Sequence, residues 1–365
     1  IVIPQKKKSD KSEKFEGAYV KEPQVGMHKW VMSFDLNSLY PHLIMQYNIS
    51  PETVNKDKRQ IQKMTVDKLL SQETNMSEVR QRELTMTPNG ALFKTTKRGF
   101  LPELMETIYN DRVQYKKLML QSKQEYENTK DPKLLKDISK YNNIQMAKKI
   151  SLNSAYGAIG NEYFRYYDLL IAEGITTAGQ LSIRWIENKI NQYMNKLLDT
   201  KDKDYVIASD TDSIYVTFEG LIEKYKPKSP VDFLDIVAKE KIEPYIDKSY
   251  QELANYTNAY AQKMQMKREV IADKGIWTAK KRYILNAHDV EGVRYKEPQL
   301  KIMGIEAVKS STPAPCRQKI KDALQIIMSG DEKMLNSFIK KFRDDFMKLP
   351  PEDIAYPRSV NGVSK

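Results

Sequence analysis

The eleven residues from Val206 to Val216, VIASDTDSIYV, constrain the fold more than any other stretch of the chain. Two apolar runs of strand length flank a short polar centre, which is the pattern of a β-hairpin. Asp210 and Asp212 stand two residues apart, so in extended chain they share a face. Like charges this close repel. Asp and Thr are ordinary turn residues, and a turn is the commoner reason for such a pair. A bound cation is the other reason. Mg²⁺ prefers carboxylate oxygens and keeps positions open for phosphate.

A third carboxylate ends another apolar run. KWVMSFDL (29–36) reads as a buried strand reaching Asp35, and SLYPHLIMQY (38–47) reads as a helix with Pro41 near its start. Capping that helix is the plain role for Asp35. If strands 29–36 and 205–218 are neighbours, three carboxylates converge on one edge. Two metal ions held there would clamp an in-line phosphoryl displacement. Asp35 and Asp212 are the candidate direct ligands, with the Leu36 carbonyl as a further oxygen donor and Asp210 beside them.

The remaining pattern is α+β. Helices are expected from about Pro102 to Glu127, and from an Asp131-Pro132 start to Tyr156-Gly157, joined by NTKDP as an antiparallel pair. Further helices are expected over 172–198, 232–256 and 312–348. Residues 275–295 read as two strands joined at Asp289–Gly292. Residues 55–98 give no assignment beyond a turn at Pro88-Asn89-Gly90. Strands and helices do not alternate regularly, so an antiparallel sheet backed by helices is expected rather than a doubly wound parallel one.

No Walker A loop or G-x-G-x-x-G is present, so any triphosphate must be held by side chains, metal and local backbone. The helical pair offers cations at helical spacing: Arg112 and Lys116 on one face of the first helix, and Lys149, Asn153 and Tyr156 on one face of the second. A solvated Lys/Arg face accounts for either set by itself. KKRY (280–283) reads as strand, with Lys281 and Tyr283 on one face. Tyr156-Gly157 suits either a packed helix end or a ring and bare backbone against a base pair.

Composition narrows the partner. The 365 residues carry 60 Lys+Arg against 48 Asp+Glu, a net charge of +12, which suits a polyanion such as nucleic acid but also a merely basic protein. No apolar run is long enough to span a bilayer, and no signal peptide is evident. The lone Cys316 excludes an internal disulfide and fits a reducing compartment. His28, His42 and His288 show no metal spacing. KKKSDKSEK (6–14) reads as a solvated loop. The start at Ile1-Val2-Ile3-Pro4 and the end at NGVSK suggest a portion of a longer or split polypeptide.

DLNSLYP (35–41), KISLNSAYG (149–157) and DTDS (210–213) occur in the order of the three polymerase motifs of family B DNA polymerases, which this chain resembles. NISPETV, FRYYDL, KKRY and LKIMGIE extend the similarity toward the enzymes of T-even-type bacteriophages. It covers most of the chain and is weakest at 55–98 and after about 315. The resemblance implies a palm of antiparallel sheet and helices over 1–98 and 162–304, a two-helix fingers insertion over 99–161, and the start of a thumb over 305–365. It implies two Mg²⁺ ions, with Mn²⁺ able to substitute, on Asp35 and Asp212. It implies dNTP binding by Ser38, Leu39, Arg112, Lys116, Lys149 and Asn153, with Tyr40 excluding a 2′-hydroxyl. Tyr156 and Gly157 would line the nascent base pair, and Lys281 and Tyr283 would touch primer–template DNA. A sliding clamp and other replisome proteins, engaged through regions outside this segment, and a host-cell cytoplasmic location are implied as well. Three features depart from the family pattern: Ala208-Ser209 replaces Tyr-Gly, His42 replaces Ser, and the fingers are short. Two alternatives remain at this level. One is an RNA-making or protein-primed palm polymerase, and the other is a non-catalytic DNA-binding or assembly fragment.

Overall fold

The computed structural model describes residues 17–55 and 64–360. The charged run at 6–14 and both chain ends lie outside the described residues. Strand β1 (Gly26–Leu36) leads into helix α1 (Leu39–Gln46). The stretch that gave no assignment holds α2 (Val66–Leu70), α3 (Ser77–Gln81) and a two-strand ribbon of β2 (Leu84–Met86) and β3 (Leu92–Lys94). The expected Pro88-Asn89-Gly90 turn lies in the link between those two strands.

The helical pair is α4 (Phe100–Thr129) and α5 (Lys133–Ile159), followed by α6 (Leu169–Leu198). The expected hairpin is β4 (Val206–Asp210) and β5 (Ser213–Thr217). Then come α7 (Glu219–Tyr225), α8 (Pro230–Val237) and α9 (Glu243–Tyr256). Three long strands follow, β6 (Met266–Ala279), β7 (Arg282–Val290) and β8 (Val293–Met303). Helices α10 (Ala314–Ser329), α11 (Glu332–Phe346) and α12 (Pro351–Ile354) end the described chain.

Six strands form one antiparallel sheet in the order β4-β5-β1-β6-β7-β8. Hydrophobic alternation explains its two faces. Met32, Phe34 and Leu36 point to the helical side, where they join Leu43 of α1, Ile175 and Ile186 of α6, and Ile246 and Tyr250 of α9 in the main core. Val31 points the other way into a smaller cluster with Ile207, Tyr215, Trp277, Tyr283 and Leu285. Asp35 belongs to this second face by alternation. The free edge of β4 is covered by the preceding chain, where Lys21 and Gln24 donate backbone N–H groups to Ser209 and Ile207. Covering an edge in this way blocks pairing with another chain. β8 is the other edge and accommodates Pro298, which cannot donate to a ladder.

Several expected boundaries move. KKRY is strand only in its second half: Lys280 and Lys281 form the turn between β6 and β7, Lys281 with φ 61°, and Arg282-Tyr283 open β7. Without Gly or Asn there, the basic pair gave no turn signal. The expected pair of strands over 275–295 is therefore part of three. The second long helix continues past Tyr156-Gly157 to Ile159, with Gly160 as its cap residue. Its start also shifts by one, since Asp131 Oδ1 accepts from Lys133 N at 2.9 Å and Pro132 takes the cap position. The helix expected over 232–256 contains a π-helical turn at Ala238–Ile242, just before Pro244. Pro lacks an N–H, which disrupts the regular ladder. The helical tail breaks at Gly330, and Asp331 restarts it by accepting from Met334 N.

Candidate active site

Sheet pairing brings the two carboxylate-bearing segments together. Asp35 lies opposite Ser213, and Asp210 also pairs with Ser213, so β1, β5 and β4 end side by side. Leu36 N–H donates to the Asp212 carbonyl at 2.7 Å, tying the end of β1 to the turn. Thr211 in that turn has φ 55° and donates its N–H to the Tyr19 carbonyl.

These strand ends form one wall of a cavity of about 630 Å³. The opposite wall comes from the helical pair. Arg112 and Lys116 of α4 and Lys149, Asn153 and Tyr156 of α5 all line it. Ser38, Leu39 and Tyr40 close one side, while Lys281 and Tyr283 close another. Gly157 alone among the residues singled out in the sequence is absent from this lining. It is exposed, with no neighbouring atom within 4 Å of the place a Cβ would occupy.

The electrostatics are those of crowded acids facing bases. Burial pushes the Asp35 carboxyl up to about 8, and the nearby Asp212 and Glu269 add to the rise. Asp212 is raised to about 6 by burial and by Asp210, while Lys149 opposes. Asp210 lines the same cavity as Asp35 and Asp212 but is already paired with a base. Its Oδ1 is 3.1 Å from Lys281 Nζ and also accepts from Thr211 Oγ1. Among the described residues, no group of three or more His, Cys, Asp or Glu side chains is gathered as a metal cluster. The donor set still fits a divalent cation in kind. Two half-buried carboxylates lie above the usual range, crowded by Asp210 and Glu269, beside a strand-end carbonyl at Leu36. A hard dication relieves that repulsion.

The bases are held differently. Arg112 is buried, and burial holds its guanidinium below the usual range. Its Nη1 donates to Ser38 Oγ at 2.8 Å. Ser38 is the α1 cap residue in the left-handed region, with φ 51° and ψ 61°. Lys116 pairs with Glu291 at 2.6 Å. Tyr40 and Tyr156 meet with ring centroids 4.5 Å apart, joining the start of α1 to α5. Beneath the acids, Tyr215 and Tyr283 share a hydroxyl–hydroxyl bond of 2.7 Å, and Trp277 stacks on Tyr283.

Residues 1–230 match the sequence profile of DNA polymerase family B. The chain belongs to DNA polymerase family B. Its whole length is 34% identical to the DNA-directed DNA polymerase of Enterobacteria phage T4 and 36% identical to that of Escherichia phage RB69. It spans 46% of each, about half their length. The DNA polymerase delta catalytic subunit of Candida albicans is 30% identical over 60% of this chain and 19% of its own length.

Two departures from the family pattern have local explanations. Ser209 is buried and donates its hydroxyl to Glu187 of α6, a carboxyl that burial pushes up. Ala208 packs into the smaller cluster with Tyr215 and Trp277. His42 is buried, with its ring edge-on to Tyr109 at 4.3 Å and Nδ1 donating to the Ser38 carbonyl at 3.0 Å.

Sequence reasoning missed Glu269, Glu291, Lys301 and Met303, all of which line the cavity. Glu269 accepts from Ser33 Oγ and pairs with Lys301 at 2.6 Å. Its signal was present: a lone carboxylate beside Val270-Ile271 has the same form as Asp35 in its own apolar run. Glu291 stood in a recognised turn, and nothing local aimed it at the helical pair.

Proposed function

We propose that this chain carries the catalytic portion of a template-directed DNA polymerase, transferring a nucleotidyl group from a dNTP to a primer 3′-hydroxyl. The observation that carries this reading is the single cavity that joins Asp35 and Asp212 to the cationic face of α4 and α5. Membership of family B supports it, as do relatives whose names are DNA-directed DNA polymerases. On this reading residues 1–98 and 162–304 are the palm, 99–161 the fingers and 305–365 the start of the thumb. A primer–template, dNTPs and further replisome proteins are the partners, in the host-cell cytoplasm. No helix among the described residues is long and apolar enough to cross a membrane.

Asp35, Asp212 and the Leu36 carbonyl would hold the metal. Bound there, two Mg²⁺ ions would lower the cost of the primer alkoxide and neutralise charge on the phosphates. The other groups bind and orient. Arg112, Lys116, Lys149 and Asn153 face the acids across the cavity, where a triphosphate would lie; the charge of the three bases favours the pentavalent transition state and the leaving pyrophosphate, and the Asn153 amide would add a hydrogen bond. The backbone at Ser38 and Leu39 borders the same space. Tyr40, held by Tyr156, would lie under the incoming sugar and exclude a 2′-hydroxyl. Tyr283 and Lys281 would meet the primer–template.

Replacing Asp212 with Asn should reduce primer extension by on the order of 10³-fold or more while DNA binding, read by gel shift, persists. Extension at a near-normal rate would sink the proposal. A non-catalytic DNA-binding fragment would take up no dNTP in a Mg²⁺-dependent manner. Tyr40→Ala should raise incorporation of ribonucleotides relative to deoxynucleotides at least about tenfold, since a lost steric clash of about 1.4 kcal/mol gives that factor. An unchanged ratio would leave an RNA-making enzyme as the better reading.

A further inference from the structure

The turn between β7 and β8 brings a carboxylate to the basic wall of the cavity. Glu291 and Gly292 have φ of 52° and 85°, the two-residue primed turn that matches the twist of a hairpin. The backbone therefore fixes where Glu291 projects. Its Oε1 lies 2.6 Å from Lys116 Nζ, and both side chains are about one third exposed (31% and 27%). Its charge also reaches Arg112, favouring the guanidinium form. A second contact docks the same hairpin on α4: Arg294 N–H donates to Gln124 Oε1 at 3.0 Å. Lys149, on α5 of the same wall, has no ion-pair partner among the described residues. The two lysines of the basic wall thus differ, because only Lys116 is already neutralised by the protein.

A phosphate group that takes Lys116 must break or share this ion pair. Glu291 also repels any anion that enters beside it. We propose that Glu291 is a resident counter-ion of the phosphate subsite and sets how much negative charge a ligand must bring to occupy it. A triphosphate has enough charge to compete, and a monophosphate gains too little. This makes Glu291 a specificity-determining residue for the polyphosphate group. The inference rests on the reading above that α4 and α5 bind the triphosphate. It goes further by naming a group that weakens binding rather than strengthening it.

The test measures equilibrium binding of dNTP to the full chain on a primer–template with a dideoxy-terminated primer, in Mg²⁺. The proteins are the wild type, Glu291→Gln, Lys116→Gln and the double variant. Glu291→Gln should bind dNTP about two- to fivefold tighter, the range expected for one partly exposed charge pair. It should gain by at least as large a factor for dNMP. In the Lys116→Gln background the same change should have less than about half its effect on a logarithmic scale. If Glu291 is only a strut that docks the hairpin on α4, Glu291→Gln will bind dNTP no tighter, or weaker, and the proposal falls. Should Glu291→Gln fold poorly, Glu291→Asp retracts the carboxylate from Lys116 and should also tighten binding. If the wild type binds dNTP and Lys116→Gln weakens it, but neither Glu291 variant tightens it, only this inference fails. If no protein in the set binds dNTP, the polymerase reading fails with it.

Discussion

The two walls of the cavity are built on very different support. The acidic wall grows from strands whose inward side chains are fully buried: Met32, Phe34, Ile214 and Val216 expose nothing. The basic wall stands on 57 helical residues, 30 in α4 and 27 in α5, of which only eight are buried. Those are Leu101, Pro102, Met105, Arg112 and Met119 on α4, and Gln145, Leu152 and Ile159 on α5. Polar ties hold the pair together, such as Lys148–Asp111 at 2.8 Å. Few buried apolar contacts mean a low cost of local opening. The difference teaches that the carboxylates are preorganised by the core, whereas the cations sit on an arm suited to move toward a ligand.

The largest expected effect tests that contrast directly. Phe34→Ala removes a fully buried ring at the centre of the main core and should cost about 3–5 kcal/mol of stability. Val113→Ala, at a residue of α4 with 43% exposure, should stay within about 0.5 kcal/mol. Denaturant unfolding of the two variants compares them. Equal losses would mean that the helical arm is as firmly built as the sheet, and the contrast would be wrong.

The next effect lies at the joint between the walls. His42 follows the acidic strand in sequence, yet its ring packs on Tyr109 of α4. Burial lowers its pKa to about 4 from 6.5, with Lys263 and Arg112 adding to the drop and the Ser38 carbonyl and Glu106 opposing it. The unfolded chain therefore binds a proton between pH 6.5 and 4 that the native state refuses. Stability from this group is full above pH 6.5 and falls as the pH drops toward 4, by up to about 3 kcal/mol. His42→Ser should flatten the pH dependence of the melting temperature across that window. A slope equal to that of the wild type would show that other groups set the acid sensitivity.

How much of this was legible from sequence follows the same divide. β1 and the β4–β5 hairpin carried clear apolar runs and α4 and α5 carried bases at helical spacing, so Asp35, Asp210, Asp212 and those cations could be named from local pattern. Glu269 lies on β6 and Lys301 on β8, strands of which only parts were anticipated, and Glu291 lies in the turn between β7 and β8; sheet register and turn geometry together bring them to the cavity. No single-chain pattern encodes the pairing of Phe34 with Arg268 after a bulge, which fixes where β6 runs beside β1. The Lys280-Lys281 turn was hidden because its residues carry no turn signal, although Lys281 takes the left-handed region. What conceals that turn in the sequence is a long-range constraint, since Gly304 at the end of β8 packs against it.

Two glycines give the smallest and sharpest comparison. Gly304 has φ 67°, and a Cβ there would stand 2.1 Å from the Lys281 carbonyl oxygen. Gly304→Ala must displace the turn that holds Lys281 against Asp210, and should cost about 1–3 kcal/mol of stability together with part of the affinity for primer–template. Gly157, near the end of α5, meets nothing within 4 Å and has no positive φ. Removing its backbone freedom with Ala should stabilise the chain by about 0.5–1 kcal/mol. Primer–template affinity then decides why a glycine stands there. If Gly157→Ala melts higher but binds DNA more weakly, the bare backbone admits a nucleic-acid surface against the basic arm. If affinity is unchanged, Gly157 has no part in DNA binding, and the contacts of α5 with the ligand end at Tyr156.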